Sequence, residues 1–472
     1  MRHVLREKTL VVYILLGGII ALGLALRIYE LSEKSLWMDE LFSAWASDPS
    51  NDFSTMFHRT VEDVHPPLYQ ILLWGVYKVF GYGEMVGRVF SVVLGVAVIP
   101  MMYVLGRKLF NVETGLLAAF LSAINFYLVL FSQNTRSYEL LVLVAVVSFV
   151  SLADLVQKQK LSGAACYALS GAALVNTHYF GFLLVISQAV FLIHLSCWPR
   201  FNRRLFVLAG CAGLCIVVSV IPILSYILKN LGRTDTYIVA PDANFILDSL
   251  LWPYGGLSAA ILNLLLLLYG LNYLMKEHKE RIAPLLLLSW WVVGYTIAFV
   301  KSSFSTPIFS LKNIVVFVPA MLLITAYGLG RIKNGCAMGV TLVLLSVMSI
   351  ACLLMDYDLP ESLRLDHDLR SPALKIINSG KNLPVYARWD TLHTTYFKLL
   401  GAPIDVAGLE AIEHRLIAGT APTCFFMIAD QWDSERIDNY PDKFAVELKD
   451  KAKFNDSAVL QYCARVDSYE LR

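Results

Sequence analysis

Charge is what this sequence has least of. Of its 472 residues 16 % are charged and 57 % hydrophobic, where an ordinary soluble chain carries about 25 % charge. With a mean hydropathy of +0.60, that scarcity excludes a water-soluble globule. A net charge of +2 gives no sign of nucleic acid as a partner, and the placing of the charges says more than their sum. Cysteine is equally uninformative: the eight residues show no metal-binding spacing. Cys166, Cys197, Cys211, Cys215, Cys336 and Cys352 lie in or at the ends of apolar runs, where the thiol behaves as a small hydrophobe. No internal repeat and no low-complexity tract is present, and residues 356–472 hold no glycine-rich phosphate loop.

What the chain does have is a series of long apolar runs. Stretches near 9–29, 85–105, 114–133, 138–157, 161–177, 180–197, 205–228, 256–275, 282–300, 314–330 and 336–355 each approach the length of a membrane crossing. The fold class expected is therefore an all-α polytopic membrane protein of about eleven spans. The first run is too long, and lacks a small-residue cleavage site, to be a removed signal peptide. Lys and Arg fix the orientation. With the N-terminus in the cytoplasm, the inner connections carry about 15 of them in roughly 40 residues and the outer loops about 8 in roughly 100, the asymmetry the positive-inside rule describes.

The same parity decides the segment 66–80 (PPLYQILLWGVYKVF). It is short of a span and contains Lys78, so it reads as an interfacial or re-entrant helix in a long first outer loop, residues 31–84. Pro66 and Pro67 suit its first turn, where a missing N–H costs nothing. Beyond 355 the charge rises sharply at Asp356, Asp358, Glu361, Arg364, Asp366, Asp368 and Arg370. Residues 1–355 thus form a transmembrane domain and 356–472 a small α/β extracytoplasmic domain. Strands are expected at 384–388, 424–428 and 444–448 and helices at 373–379 and 391–400. Cys424 and Cys463 share that domain, and a disulfide between them is left open.

Just past the first span stands Ser35-Leu36-Trp37-Met38-Asp39-Glu40. Carboxylates near a membrane exit cost solvation if they sink into lipid, so they serve either water or chemistry. His65-Pro66-Pro67-Leu68-Tyr69 follows, then Gly83-Glu84 and Gly87-Arg88 at the opening of a span, then Asn134-Thr135-Arg136-Ser137-Tyr138 at the outer end of the third. This series resembles the dolichyl-phosphate-mannose protein mannosyltransferase superfamily. Its bacterial family 39-like members and the aminoarabinose transferase are nearest in plan. The resemblance is specific over roughly 30–145 and architectural beyond.

The resemblance implies a C-type glycosyltransferase fold, a polyprenyl-phosphate sugar donor and a first-loop acid as base, in a bacterial inner membrane. The acceptor, a lipid, glycan or protein hydroxyl, stays open. Asp39 is expected to be the base and Glu40, its helical neighbour, to point elsewhere, orienting Asp39 or accepting a backbone N–H. Arg136, Lys301 and Lys312 are the candidate clamps on the donor phosphate, Arg136 foremost because its fork engages two oxygens. Where Lys312-Asn313 stands, many family members carry an Arg-Tyr-like pair. Trp37, His65, Tyr69, Arg88, Tyr138 and His178 are expected to line or orient the cavity. His65 and Asp39 leave a divalent metal as an alternative, but a monophosphate leaving group with cationic partners requires no cofactor. For each residue a plainer role competes: acids opening an interfacial helix, cations anchoring headgroups, and His178 meeting interfacial water. A transporter is the rival class. It would put charge at span midpoints and repeat one half in the other, and the sequence does neither.

Overall fold

All eleven apolar stretches are helical in the structure, a computed structural model that describes residues 2–61, 65–197, 200–231, 236, 238–277, 282–354, 368–430, 433, 440–455 and 457–465. The helices are α1 (Arg2–Ile28), α2 (Met38–Ala46), α3 (Phe53–Val61), α4 (Leu68–Phe80), α5 (Glu84–Leu109), α6 (Val112–Ile124), α7 (Phe126–Ser132), α8 (Tyr138–Lys158), α9 (Leu161–Thr177) and α10 (Phe180–Cys197). There follow α11 (Arg203–Asn230), α12 (Leu257–Glu277), α13 (Ile282–Phe304), α14 (Leu311–Leu329) and α15 (Gly335–Leu354). Among the described residues nine helices are long and apolar enough to cross a membrane, and α6 with α7, bent by 56°, makes ten if taken as one span. The eleventh expected span, α9, has 17 residues, at the lower limit for a crossing. The segment expected to be interfacial is the short apolar helix α4. Its prolines precede it instead of occupying its first turn: the helix starts at Leu68, and the Pro67 carbonyl accepts the Ile71 N–H at 3.0 Å.

The chain divides into two compact units. One comprises Met1–Tyr29, Phe53–Leu72 and Arg88–Arg364; the other comprises Glu30–Asp52, Leu73–Gly87 and Leu365–Arg472. The first outer loop is thus shared between them. The expected domain boundary at 355/356, and the acidic residues from Asp356 to Asp366, lie outside the described residues.

In the first unit the irregularities of the spans have local causes. Pro222 interrupts α11 with a 3-10 turn over Ile221–Ile223. A π-turn at Ser289–Val293 interrupts α13, where Trp290 stacks on Phe149 at 3.8 Å and donates to the Val316 carbonyl at 3.0 Å. Gly270 of α12 and Gly328 of α14 let two backbones touch, since a Cβ on Gly270 would lie 2.1 Å from the Ile324 carbonyl oxygen. Small residues at such crossings are how helices associate without a hydrophobic drive.

The bend between α6 and α7 is the most consequential. Asn125 is extended there, and its side chain accepts the Leu128 N–H at 3.2 Å to cap α7. Breaking the helix orphans the last carbonyls of α6. The buried Arg27 guanidinium takes them, donating to Ser122 O at 3.1 Å and Ala123 O at 3.0 Å, and to Ser132 Oγ at 3.0 Å. Gly95 makes room: a Cβ there would lie 2.2 Å from Ser132 Oγ and 3.1 Å from Arg27 Nε.

The second unit is built on a five-stranded sheet in the order β2-β1-β3-β5-β4, with β1 (Val385–Ala387), β2 (Val406–Gly408), β3 (Cys424–Asp430), β4 (Val446–Lys453) and β5 (Ser457–Ala464). The first three pair in parallel and the last two antiparallel. Helices α16 (Arg370–Asn378), α17 (Asp390–Leu399) and α18 (Leu409–Ile417) accompany it. The strand expected at 444–448 begins two residues later and runs on to Lys453, while β2, β5 and α18 were not anticipated. The β3–β5 register sets Cys424 opposite Cys463, and the two form a disulfide. Tyr386, Phe425, Met427, Leu460 and Tyr462 form the core beneath α18.

Candidate active site

In the first unit the loop 133–137 between α7 and α8 carries Arg136. Its approach is fixed from α1: Gln133 Nε2 donates to the Arg27 carbonyl at 3.2 Å and the Tyr29 carbonyl at 2.8 Å, capping the end of that helix. Arg136 is 4 % exposed, and its Nη2 lies 3.0 Å from His65 Nε2. A guanidinium has no lone pair to offer, so His65 accepts at Nε2, which fixes its proton at Nδ1. The His65 and His178 rings stand 5.8 Å apart, with Tyr138 6.4 Å from His178. His178 Nδ1 accepts the Phe180 N–H at 3.1 Å, leaving its proton on Nε2. Burial first, then His65 and Arg136, holds its imidazole well below the usual range. His178 is buried, and its ring accepts a backbone N–H at the start of α10. Four residues singled out in the sequence, His65, Arg136, Tyr138 and His178, thus form one cluster. At its edge α8 begins, so the positive end of a 21-residue helix adds to the field.

The other candidates of this unit are placed as follows. Tyr69 is fully buried, its hydroxyl 3.3 Å from Ser91 Oγ and its ring 5.9 Å from Phe90. Arg88 is buried in the first turns of α5. Lys301 donates to Ser305 Oγ and the Thr306 carbonyl, both at 2.9 Å, so its ammonium closes its own loop. Lys312 stands in the 3-10 turn that opens α14. Glu62 and Asp63, three and two residues before His65, lie outside the described residues. Among the described residues no group of three or more His, Cys, Asp or Glu could hold a metal ion.

In the second unit Trp37, Asp39 and Glu40 open α2. Trp37 is the N-cap, and its backbone N–H donates to Glu40 Oε2 at 3.3 Å, the carboxylate half of a capping box. Glu40 is fully buried in that role, whereas Asp39 is half-buried. The Asp39 carbonyl accepts from Ser43 Oγ at 3.1 Å. The two carboxylates therefore do different work: one holds the helix start, and the other is left at the N-terminal turn.

Sequence reasoning missed Arg27 and Glu139. Glu139 follows Tyr138 directly, is fully buried, and interacts electrostatically with Arg27. The signal available was a basic and an acidic residue inside the ends of two apolar runs, positions where charge is rare unless paired.

Residues 64–226 match the dolichyl-phosphate-mannose-protein mannosyltransferase family. That stretch includes the whole His65–Arg136–His178 cluster but begins after Asp39. No curated protein sequence matches the chain. Among solved structures it is similar to ArnT from Cupriavidus metallidurans bound to undecaprenyl phosphate, at 12 % identity and a TM-score of 0.64, over 94 % of this chain and 97 % of that one. It is similar to the oligosaccharyltransferase AglB from Archaeoglobus fulgidus, in complex with an inhibitory peptide and a dolichol-phosphate, at 11 % identity and a TM-score of 0.56, over 90 % and 70 %. The arabinofuranosyltransferase AftD from Mycobacteria matches at 12 % and 0.57, over 96 % of this chain and 40 % of that one. Over nearly its whole length the chain thus shares the fold of ArnT from Cupriavidus metallidurans, and its segment 64–226 is similar to the mannosyltransferase family.

Proposed function

We propose that the protein moves a sugar from a polyprenyl-phosphate donor to an acceptor hydroxyl on a lipid, glycan or protein at the outer face of a bacterial inner membrane. The N-terminus is then cytoplasmic and residues 356–472 extracytoplasmic. The observation that carries this reading is the buried Arg136 with His65 against it and His178 beside it, inside the family-matched segment. A buried guanidinium at a helix N-terminus suits an anion, and a monophosphate leaving group is one. The lipid that ArnT from Cupriavidus metallidurans binds, undecaprenyl phosphate, supports a donor built on such a chain.

In this mechanism Asp39 takes the proton of the acceptor hydroxyl as its oxygen attacks the anomeric carbon. The bond from that carbon to the phosphate oxygen breaks, and the electron pair leaves on the polyprenyl phosphate. Attack opposite the leaving group inverts the anomeric centre. Arg136 and the Nε2–H of His178 meet the charge that gathers on the phosphate, an electrostatic task that fixed donors in a dry site perform well. Glu40, committed to the helix cap, keeps Asp39 in the first turn of α2. The reaction calls for no redox or group-carrying cofactor, and the Arg136 guanidinium supplies positive charge for the phosphate.

Purified protein in nanodiscs, given a panel of polyprenyl-phosphate hexoses and pentoses together with a membrane lipid and glycan extract as acceptor, tests the proposal. Mass spectrometry is expected to show loss of sugar from one donor and free polyprenyl phosphate as product. Intact translocation of the donor with no cleavage would instead establish a transporter.

A further inference from the structure

The second unit holds a polar network that no step above uses. Tyr396 of α17 is fully buried, and its hydroxyl is a junction. It accepts the Leu36 N–H at 3.2 Å, lies 3.1 Å from Ser35 Oγ, and donates to Glu84 Oε1. Ser35 Oγ in turn accepts the N–H groups of Leu369 and Arg370, each at 3.1 Å. Arg370 closes the ring. Its Nη2 lies 3.1 Å from Glu84 Oε2 and its Nε 3.4 Å from Glu84 Oε1. Its Nη1 and Nη2 donate to the Ser32 and Lys34 carbonyls at 2.8 and 2.9 Å. Burial and the adjacent Glu84 push the Tyr396 hydroxyl well above the usual range, so it stays a donor toward that carboxylate.

What this network grips is the backbone directly ahead of Asp39. The Leu36 N–H goes to Tyr396, the next N–H, that of Trp37, goes to Glu40, and α2 starts at Met38. The far end of α2 is held as well: Tyr82 donates to the Ala44 carbonyl at 3.1 Å, and Lys398 Nζ lies 3.6 Å from Asp48 Oδ2. The turn that enters this segment begins at Glu30, a non-glycine residue at φ +51°. Such a conformation persists only where the surroundings over-determine it. A tether between chain segments would need one or two such bonds anywhere along the loop. Here they converge on Ser32, Lys34, Ser35 and Leu36, the segment that leads into the acid.

We propose that the Ser35–Glu84–Arg370–Tyr396 network is a positioning device for Asp39, through which the C-terminal residues set the place of the base. This rests on the assignment of Asp39 made above. Tyr396, Glu84 and Arg370 are positioning residues, acting through the segment 32–36. A displacement of about 1 Å in a reacting group can cost on the order of 10²-fold in rate.

The test uses the full chain in nanodiscs with the polyprenyl-phosphate sugar that the wild type cleaves. Tyr396→Phe keeps the ring in its packing and removes only the hydroxyl. It is expected to lower the single-turnover rate by about 10- to 100-fold, with the donor KM within about twofold. Arg370→Lys, which keeps charge but cannot span Glu84 and two carbonyls, should behave alike, and the two together should cost no more than the larger alone. Hydrogen exchange read by mass spectrometry should quicken in the peptide covering residues 35–47 of Tyr396→Phe and nowhere in β3 or β5. Wild-type turnover in both variants, or slowed turnover with unchanged exchange at 35–47, would overturn the proposal. Asp39→Asn is run alongside. If it stays active, the base assignment itself fails; if it is dead while Tyr396→Phe is fast, only the positioning role fails.

Discussion

Arg27 and Glu139 yield a stability prediction that the sequence would not have suggested. Replacing Arg27 by Met keeps length and apolar bulk but deletes the guanidinium. Four hydrogen bonds go with it, three of them to Ser122 O, Ala123 O and Ser132 Oγ across the α6–α7 bend and one to Gly23 O of its own helix. Hydrogen bonds involving a charge are worth about 1.5–3 kcal/mol each in net terms, but the four are not independent. The better gauge is what the loss leaves buried and unsatisfied, the Ser122 and Ala123 carbonyls, at about 1–3 kcal/mol each. We therefore expect Arg27→Met to destabilise by about 2–6 kcal/mol, seen as a lower melting transition in detergent. Glu139→Gln should cost less, because Arg27 keeps its carbonyl partners. The double variant should be more stable than the two single losses added together, by a coupling of about 0.5–3 kcal/mol. Strict additivity, or a loss in Arg27→Met within the ±0.5 kcal/mol typical of a surface change, would refute the argument.

Three further outcomes are expected. Arg136→Lys keeps charge without the fork and should weaken donor use; Arg136→Ala should weaken it further, by about 2–5 kcal/mol, and normal donor binding and turnover there would make Arg136 a headgroup anchor. Burial, with Asp433 beside it, pushes Asp430 up to about 7, so the folded state holds an extra proton below that pH and the stability it brings is lost as pH rises through about 7. His393, driven down to about 4 by burial, acts oppositely, losing stability as pH falls through that value, so Asp430→Asn should make melting temperature rise more steeply with pH between about 4 and 7, and an unchanged slope would contradict this. A reporter fused after Met355 should read outside and one after Lys108 inside, with a cysteine at position 78 labelled from outside; cytoplasmic labelling there would reverse the proposed orientation.

Much of the architecture was legible because apolar length is a coarse signal that tertiary context rarely overrides. Each stretch from Thr9 to the end of α15 is helical. The breaks were not legible. Pro222 announces a 3-10 turn, but nothing in Ser289–Val293 marks a π-turn that exists to seat Trp290 on Phe149. In the second unit β3 was found from its apolar run, whereas β2 is three residues long and β5 is buried along nearly its whole length, so it lacks the alternation a half-exposed strand shows. The candidate site divides similarly. Arg136, Tyr138 and His178 stood out as polar residues at span ends and His65 in the first outer loop, and the structure gathers them. Lys301 stood out for the same reason yet serves its own loop, because a cation's partners depend on carbonyls the sequence does not display. Arg27 was overlooked on the same ground: what it binds are carbonyls freed by a bend at Asn125.

The central claim is that Asp39 removes the acceptor's proton. Asp39→Asn keeps size and hydrogen-bonding shape while removing the basic oxygen, and Glu40→Gln alters only the cap on Trp37. Single-turnover cleavage of the polyprenyl-phosphate sugar in nanodiscs, with folded fraction checked by size exclusion, is predicted to fall by roughly 10²–10⁴-fold in Asp39→Asn and much less in Glu40→Gln, with donor binding retained in both. Turnover near wild type in Asp39→Asn would contradict the account.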